Sequence, residues 1–204
     1  MDSRKAFAAG VVVGAGVMFI AAAMLVGLRR HAQRKAAQIR IVTPYDQLPA
    51  LQFPDASELP DYGKADGNWK FRTLDGKTAN LADFRGKVVF LGFWATWCSD
   101  CRREFSSIDS LQKQLGSAPI AFVLVSDENP EKVREFVERL PFHMPVYVTS
   151  EKPPPVFATF ELPTSYVLTP AGTVVYRHLG AARWNEAPCV NFFRDLTRQY
   201  SAGN

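Results

Sequence analysis

Two of the three cysteines in this 204-residue chain stand three positions apart, Cys98 and Cys101, within the run WATWCSDC at 94–101. Thiols at that spacing can crosslink the chain, supply half of a metal site, or exchange a disulfide with another molecule. A crosslink closing so small a loop constrains the unfolded chain very little, so stabilisation is a poor reason for it. A zinc site asks for about four ligands. No second C-x-x-C exists, and His31, His143 and His178 are scattered along the chain. Reversible exchange is the reading the context favours, if the surroundings make one sulfur a good nucleophile.

The neighbouring elements supply that condition. Residues 88–94, VVFLGFW, form an unbroken apolar run, the pattern of a central strand covered on both faces. Over 98–115, Cys101, Phe105, Ile108, Leu111 and Leu115 recur three or four apart, which predicts an amphipathic helix. Cys98 falls at the start of that helix, where unpaired N–H groups and a partial positive charge favour a thiolate. It is the expected nucleophile. Cys101, on the same helix face and pointing inward, is placed to displace a partner from a mixed disulfide on Cys98.

Further elements complete a domain. Residues 69–74 alternate and run into Asp75-Gly76, predicting a hairpin, and 81–84 reads as a helical turn closed by Gly86. A second buried strand is expected at 120–125. Asn129-Pro130-Glu131 then opens a helix whose apolar stripe is Val133, Phe136, Val137 and Leu140. A short strand at 145–148, a helical turn at 156–160, a hairpin of 165–169 with 173–178 around Pro170-Ala171-Gly172, and a last helix at 185–200 follow. This alternation predicts an α/β domain, a mixed sheet with helices on both faces.

The N-terminal flank differs in kind. Residues 6–28 carry no charged side chain, and a helix of that length rises about 35 Å, enough to span a membrane. Ala21-Ala22-Ala23 resembles a peptidase site, but the apolar run continues to Leu28, so an uncleaved anchor is expected. Seven of the chain's cations precede residue 41 against Asp2 alone, so the total charge of +4 leaves about −2 for the remainder. A mildly acidic globular part has no phosphate-binding stripe, which sets nucleic acid aside. Pro44, Pro49, Pro54 and Pro60 mark an extended tether. The expected partition is an anchor at 1–30, a linker at 31–60 and a folded domain at 61–204.

The segment TLDGKTANLADFRGKVVFLGFWATWCSDCRRE, with LPTSYVLTPAGTVVYRHLGAARW downstream, resembles the membrane-anchored thioredoxin-like proteins of the TlpA/ResA type over roughly residues 60–200. The resemblance implies a thioredoxin fold and a thiol–disulfide oxidoreductase that reduces disulfides of extracytoplasmic proteins, such as apocytochrome c. It implies electrons supplied by a transmembrane thiol relay, and no cofactor or metal beyond a redox-active Cys98–Cys101 disulfide. It also makes Pro163 of the Leu-Pro-Thr motif a cis residue beside the cysteines, with Trp97, Leu162 and Thr164 contacting an extended partner segment. Glu104 matches an acidic position that influences the titration of the cysteines. The cation count after residue 28 would put the domain in the cytoplasm, whereas the chemistry of the family puts it on the periplasmic face of the inner membrane.

The chain departs from many relatives at Asp100 and Ser106, where they have proline. Asp100 opposes a neighbouring thiolate while Arg102 and Arg103 favour it, and the expectation is that Asp100 keeps the pKa of Cys98 higher, suiting a reductant. Cys189 shares its spacing with Phe192, Phe193, Leu196 and Tyr200 and is expected in the core; Trp184 is expected to plug the domain edge. Two other functions are considered, a copper metallochaperone using His143-Met144 and a redox-inert docking module. A peroxidase lacks support because Thr96 stands two residues, not three, before Cys98.

Overall fold

The computed structural model describes residue 24 and residues 45–141, 143–157 and 161–201. The chain divides into one unit of Met1–Val42 and a second of Thr43–Asn204. The anchor expected over 6–28 lies outside the described residues except for Met24, and among the described residues no helix is long and apolar enough to cross a membrane.

Seven strands are formed by Lys70–Thr73 (β1), Thr78–Asn80 (β2), Val88–Phe93 (β3), Ile120–Ser126 (β4), Val146–Val148 (β5), Thr164–Leu168 (β6) and Val174–Leu179 (β7). They make one mixed sheet in the order β2-β1-β5-β4-β3-β6-β7. The apolar run at 88–94 takes an inner position, parallel to β4 and antiparallel to β6. Parallel neighbours need a crossover, and helix α1, Ser99–Leu115, provides it. Two further helices, Pro130–Val137 (α2) and Ala187–Ser201 (α3), complete the described set.

Alternation along β3 feeds two apolar layers. Val88 and Phe90 pack with Phe105, Ile108 and Leu111 of α1, Val133 of α2, and Phe193 and Leu196 of α3. Val89 and Leu91 face the other way, towards Trp69, Phe71, Leu81 and Phe157. Alternating strands and helices predict helices on both faces, but all three helices bury their apolar stripes on the first. The second face is closed among the described residues by 3-10 turns, Leu81–Phe84 and Pro155–Phe157. At the first of these turns the local cause is sequence: Gly86, at φ +82°, lies just past its end and turns the chain away. Gly92 marks the tightest point of β3, since a Cβ there would stand 2.8 Å from Leu124 Cδ2.

The tether, expected to be extended with a few docking contacts, does dock on the domain. Leu48 and Leu51 are buried. Phe53 stacks on Phe192 of α3 and lies against Tyr176 of β7, each ring centroid 4.6 Å away. The Tyr45 hydroxyl donates to Asn185 Oδ1 at 2.8 Å. The apolar residues scattered among the prolines are the docking side of this strap, so the folded unit begins near Thr43 and not at 61.

Candidate active site

The site grows from the exit of β3. Trp94 N–H donates to Val125 O and Cys98 N–H to Ala95 O, so the chain turns sharply before α1 begins. Cys98 is the N-cap of α1, in extended conformation, and its sulfur accepts the Cys101 N–H at 3.1 Å. The helix that the apolar spacing predicts therefore starts one residue later than expected, with the first cysteine aimed along its unpaired N–H groups. Cys98 and Cys101 are joined by a disulfide, with Cα atoms 5.3 Å apart. Both are buried in this oxidised state, Cys101 completely and Cys98 at 4% exposure.

One turn further along α1, Glu104 is buried at 2% exposure. Its carboxylate oxygen Oε2 accepts the indole N–H of Trp184 at 3.0 Å and the Ala182 N–H at 3.2 Å. Burial pushes its pKa up from 4.5 to about 8, partly opposed by these two donors. Ser107 secures the same loop, its hydroxyl donating to Glu104 O at 2.7 Å and accepting Trp184 N–H at 3.2 Å. Trp184 is fully buried, with its ring edge-on to Phe90. It is not a plug at the domain edge; a bulky indole in the centre can also satisfy a buried carboxylate, which an apolar side chain could not.

The Leu-Pro-Thr motif arrives at the same end of the sheet. Antiparallel pairing sets Thr164 opposite Phe93, so the residues just before β6 lie beside the loop just after β3. The Leu162–Pro163 peptide is cis. Pro163 and Thr164 are buried and Leu162 half-buried, while Trp97 is 67% exposed. Gly180 N–H donates to Pro163 O at 2.8 Å, tying this corner to the end of β7.

Asp100 is paired with Arg103 at 2.9 Å, so its charge next to the cysteines is already partly balanced. Ser99 and Asp100 are half-buried, whereas Arg102 is exposed. Cys189 is a free thiol on α3, 1% exposed and distinct from the disulfide, and burial pushes its thiol far above the usual range. His143 is exposed and Met144 half-buried just ahead of β5. Among the described residues no three His, Cys, Asp or Glu side chains are grouped as a metal site.

One contact has no counterpart among the sequence expectations. Glu128, two residues past β4, accepts the Thr96 N–H at 2.5 Å and the Thr96 hydroxyl at 2.9 Å. Lys132 pairs with the same carboxylate at 2.6 Å. The signal available in the sequence is a carboxylate shortly after the buried strand at 120–125, which runs parallel to β3 so that both leave the sheet at one edge.

A model of the AhpC/TSA family matches residues 57–177. Thioredoxin-like protein YneN of Bacillus subtilis is 32% identical over 121 residues, 58% of this chain and 71% of that protein. Thiol-disulfide oxidoreductase ResA of Bacillus cereus is 32% identical over 132 residues, 63% of this chain and 75% of that protein. Among solved structures, a thiol:disulfide interchange protein of the thioredoxin family from Chlorobium tepidum superposes with a TM-score of 0.54 at 21% identity, covering 69% of this chain and 99% of that one. That likeness shows a thioredoxin-type fold, a mixed sheet with helices.

Proposed function

The chain belongs to the AhpC/TSA family, and we propose that within it this protein is a thiol–disulfide oxidoreductase that reduces disulfides of partner proteins through Cys98 and Cys101. The observation that carries the reading is the disulfide between a helix N-cap cysteine and its inward neighbour, one turn before a buried carboxylate. Relatives named thiol-disulfide oxidoreductase support it.

In the reduced protein the Cys98 thiolate attacks one sulfur of a partner disulfide. A mixed disulfide forms, and the other partner sulfur leaves as thiolate and takes a proton. Cys101 then loses its proton and attacks the Cys98 sulfur. The second partner sulfur is released, and the Cys98–Cys101 bond seen here remains; two electrons have passed to the partner. Cys98 is favoured as attacker because the α1 N-terminus stabilises its anion, while Cys101 lies inside. Glu104, on the same buried helix face one turn beyond Cys101 and with a pKa of about 8, holds or releases a proton near neutrality, which suits it to exchange the Cys101 proton. Trp97, exposed, and Leu162, half-buried, would form the rim on which an extended partner segment lies, with the cis Pro163 beside them; Thr164, expected to touch the partner, is fully buried and lies beneath that rim.

The uncharged stretch at 6–28 supports a membrane anchor, and the chemistry supports a periplasmic domain re-reduced by a transmembrane thiol relay, with apocytochrome c as a substrate class. Expression of full-length Cys101→Ser in the native membrane tests the function. Partners should accumulate as mixed disulfides on Cys98 and be released by dithiothreitol; an empty trap, together with no reduction of insulin by the wild type, would overturn it. Reporter fusions after Arg40 test the side of the membrane.

A further inference from the structure

The loop that delivers Cys98 to its helix is held from outside the cysteine pair. Thr96 stands two residues before Cys98, and both of its hydrogen-bonding groups that can donate, the backbone N–H and the hydroxyl, go to one carboxylate, that of Glu128. Glu128 is itself fixed from two sides. Behind it lies β4, whose last residue Ser126 accepts the Glu128 N–H at 3.3 Å through its hydroxyl. Ahead of it lies the first turn of α2, where Asn129 is the N-cap and Lys132 reaches back to the carboxylate at 2.6 Å. The Glu128 side chain is 10% exposed, and Thr96 is buried at 9% exposure. Trp97, between Thr96 and Cys98, is 67% exposed and packs too little to hold the loop by itself.

We infer that Glu128 is a positioning residue for the redox chemistry, clamping Thr96 so that the Cys98 sulfur stays at the N-terminus of α1 when the disulfide is open. The inference rests on the function proposed above. While Cys98 and Cys101 are bonded, the disulfide itself keeps Cys98 in register with the first turn of the helix. Once it is reduced that tie is gone, and the sulfur stays near the N–H groups only if the preceding backbone stays in place. The bonds from Thr96 to Glu128 contain no sulfur, so the redox step neither makes nor breaks them. They hold the loop in both states, but they matter more in the reduced one.

This has a signature that general stabilisation lacks. A contact that only strengthened the fold would support both redox forms alike and leave the couple unmoved. A contact that keeps a thiolate aimed at the helix stabilises the reduced form preferentially. Its loss makes the thiol ionise later and shifts exchange equilibria towards the disulfide.

The charge of Glu128 acts in the opposite sense, because a nearby carboxylate disfavours a thiolate. Thr96→Val removes the hydroxyl bond and keeps the charge; Glu128→Gln removes the charge and weakens the clamp; Thr96→Ser keeps the hydroxyl. The experiment measures iodoacetamide alkylation of Cys98 against pH in the reduced full-length chain, with the oxidation equilibrium against glutathione as a second readout. Thr96→Val is expected to raise the alkylation midpoint, slow the reaction at pH 7 by about tenfold, the scale of one lost hydrogen bond to a charged group, and favour the disulfide. Glu128→Gln should change both readouts in the same direction, and Thr96→Ser should restore the wild-type values. Unchanged behaviour of Thr96→Val overturns the inference, as does faster alkylation in Glu128→Gln with Thr96→Val unaffected, which would make Glu128 a charge and not a clamp. If Glu128→Gln does not fold, the two Thr96 variants decide alone. A wild-type Cys98 that alkylates like an ordinary exposed thiol would instead sink the proposed function itself, whatever the variants do.

Discussion

Glu104 and Trp184, 80 residues apart in sequence, meet in the interior as carboxylate and indole at 3.0 Å. A buried acid is thereby given a partner that can donate a hydrogen bond but cannot neutralise it. Burial outweighs the bond, and the pKa rises to about 8.

Stability should therefore fall as pH rises. The folded protein keeps the Glu104 proton up to about pH 8, whereas the unfolded chain releases it near 4.5, so folding is progressively disfavoured between those values. At about 1.4 kcal/mol per unit the full effect is on the order of 5 kcal/mol. Urea unfolding of the oxidised protein at pH 5 and pH 8 should show this loss, and Glu104→Gln should flatten it. An equal slope in the variant would assign the pH dependence to other groups.

Asp100 and Arg103 form a 2.9 Å pair beside the cysteines. Removing Asp100 frees the guanidinium and takes away an opposing charge, so Asp100→Ala should lower the Cys98 midpoint, by less than about one unit because the pair is partly exposed and screened. Thiolate absorbance against pH measures it. Asp100→Ala/Arg103→Ala should return towards wild type; a midpoint that rises in the single variant would reverse the role assigned to Asp100.

The two sulfur environments separate cleanly. Cys98→Ser should abolish reduction of insulin. Cys189→Ala should leave it intact and cost about 1 kcal/mol of stability, the loss of one small buried apolar group. Activity lost in Cys189→Ala with the fold preserved would give α3 a part in the chemistry.

Phe53 binds the strap between Phe192 and Tyr176. Phe53→Ala should cost roughly 2 kcal/mol in chemical denaturation, less than a full core deletion because Phe53 is only half-buried. Limited proteolysis should then cut within 45–60 first. An unaltered digestion pattern would mean that the strap is held elsewhere.

Where periodicity carries the information, the sequence foretells the structure closely. The unbroken run at 88–94 and the spacing from Cys101 to Leu115 lead directly to β3 and α1, because burial on both faces and burial on one stripe leave different patterns. The hairpin of β6 and β7 is likewise announced by Pro170-Ala171-Gly172. The strap is less legible, since Leu51 and Phe53 among prolines have no period to betray what they dock against. Glu104 shows in the sequence only as a helix carboxylate; its burial depends on Trp184 arriving from a distant loop. The Glu128–Thr96 contact is hidden for the same reason, because it joins residues 32 apart whose proximity is created by β3 and β4 running in parallel.

Across the turn that carries the cysteines, Ala95, Thr96, Cys98, Cys101 and Glu104 are enclosed, Trp97 and Arg102 are exposed, and between the two sulfurs Ser99 and Asp100 keep one side open to water. Substitutions at Ser99 and Asp100 are therefore expected to alter how hard the protein pulls on electrons without rebuilding the scaffold beneath them.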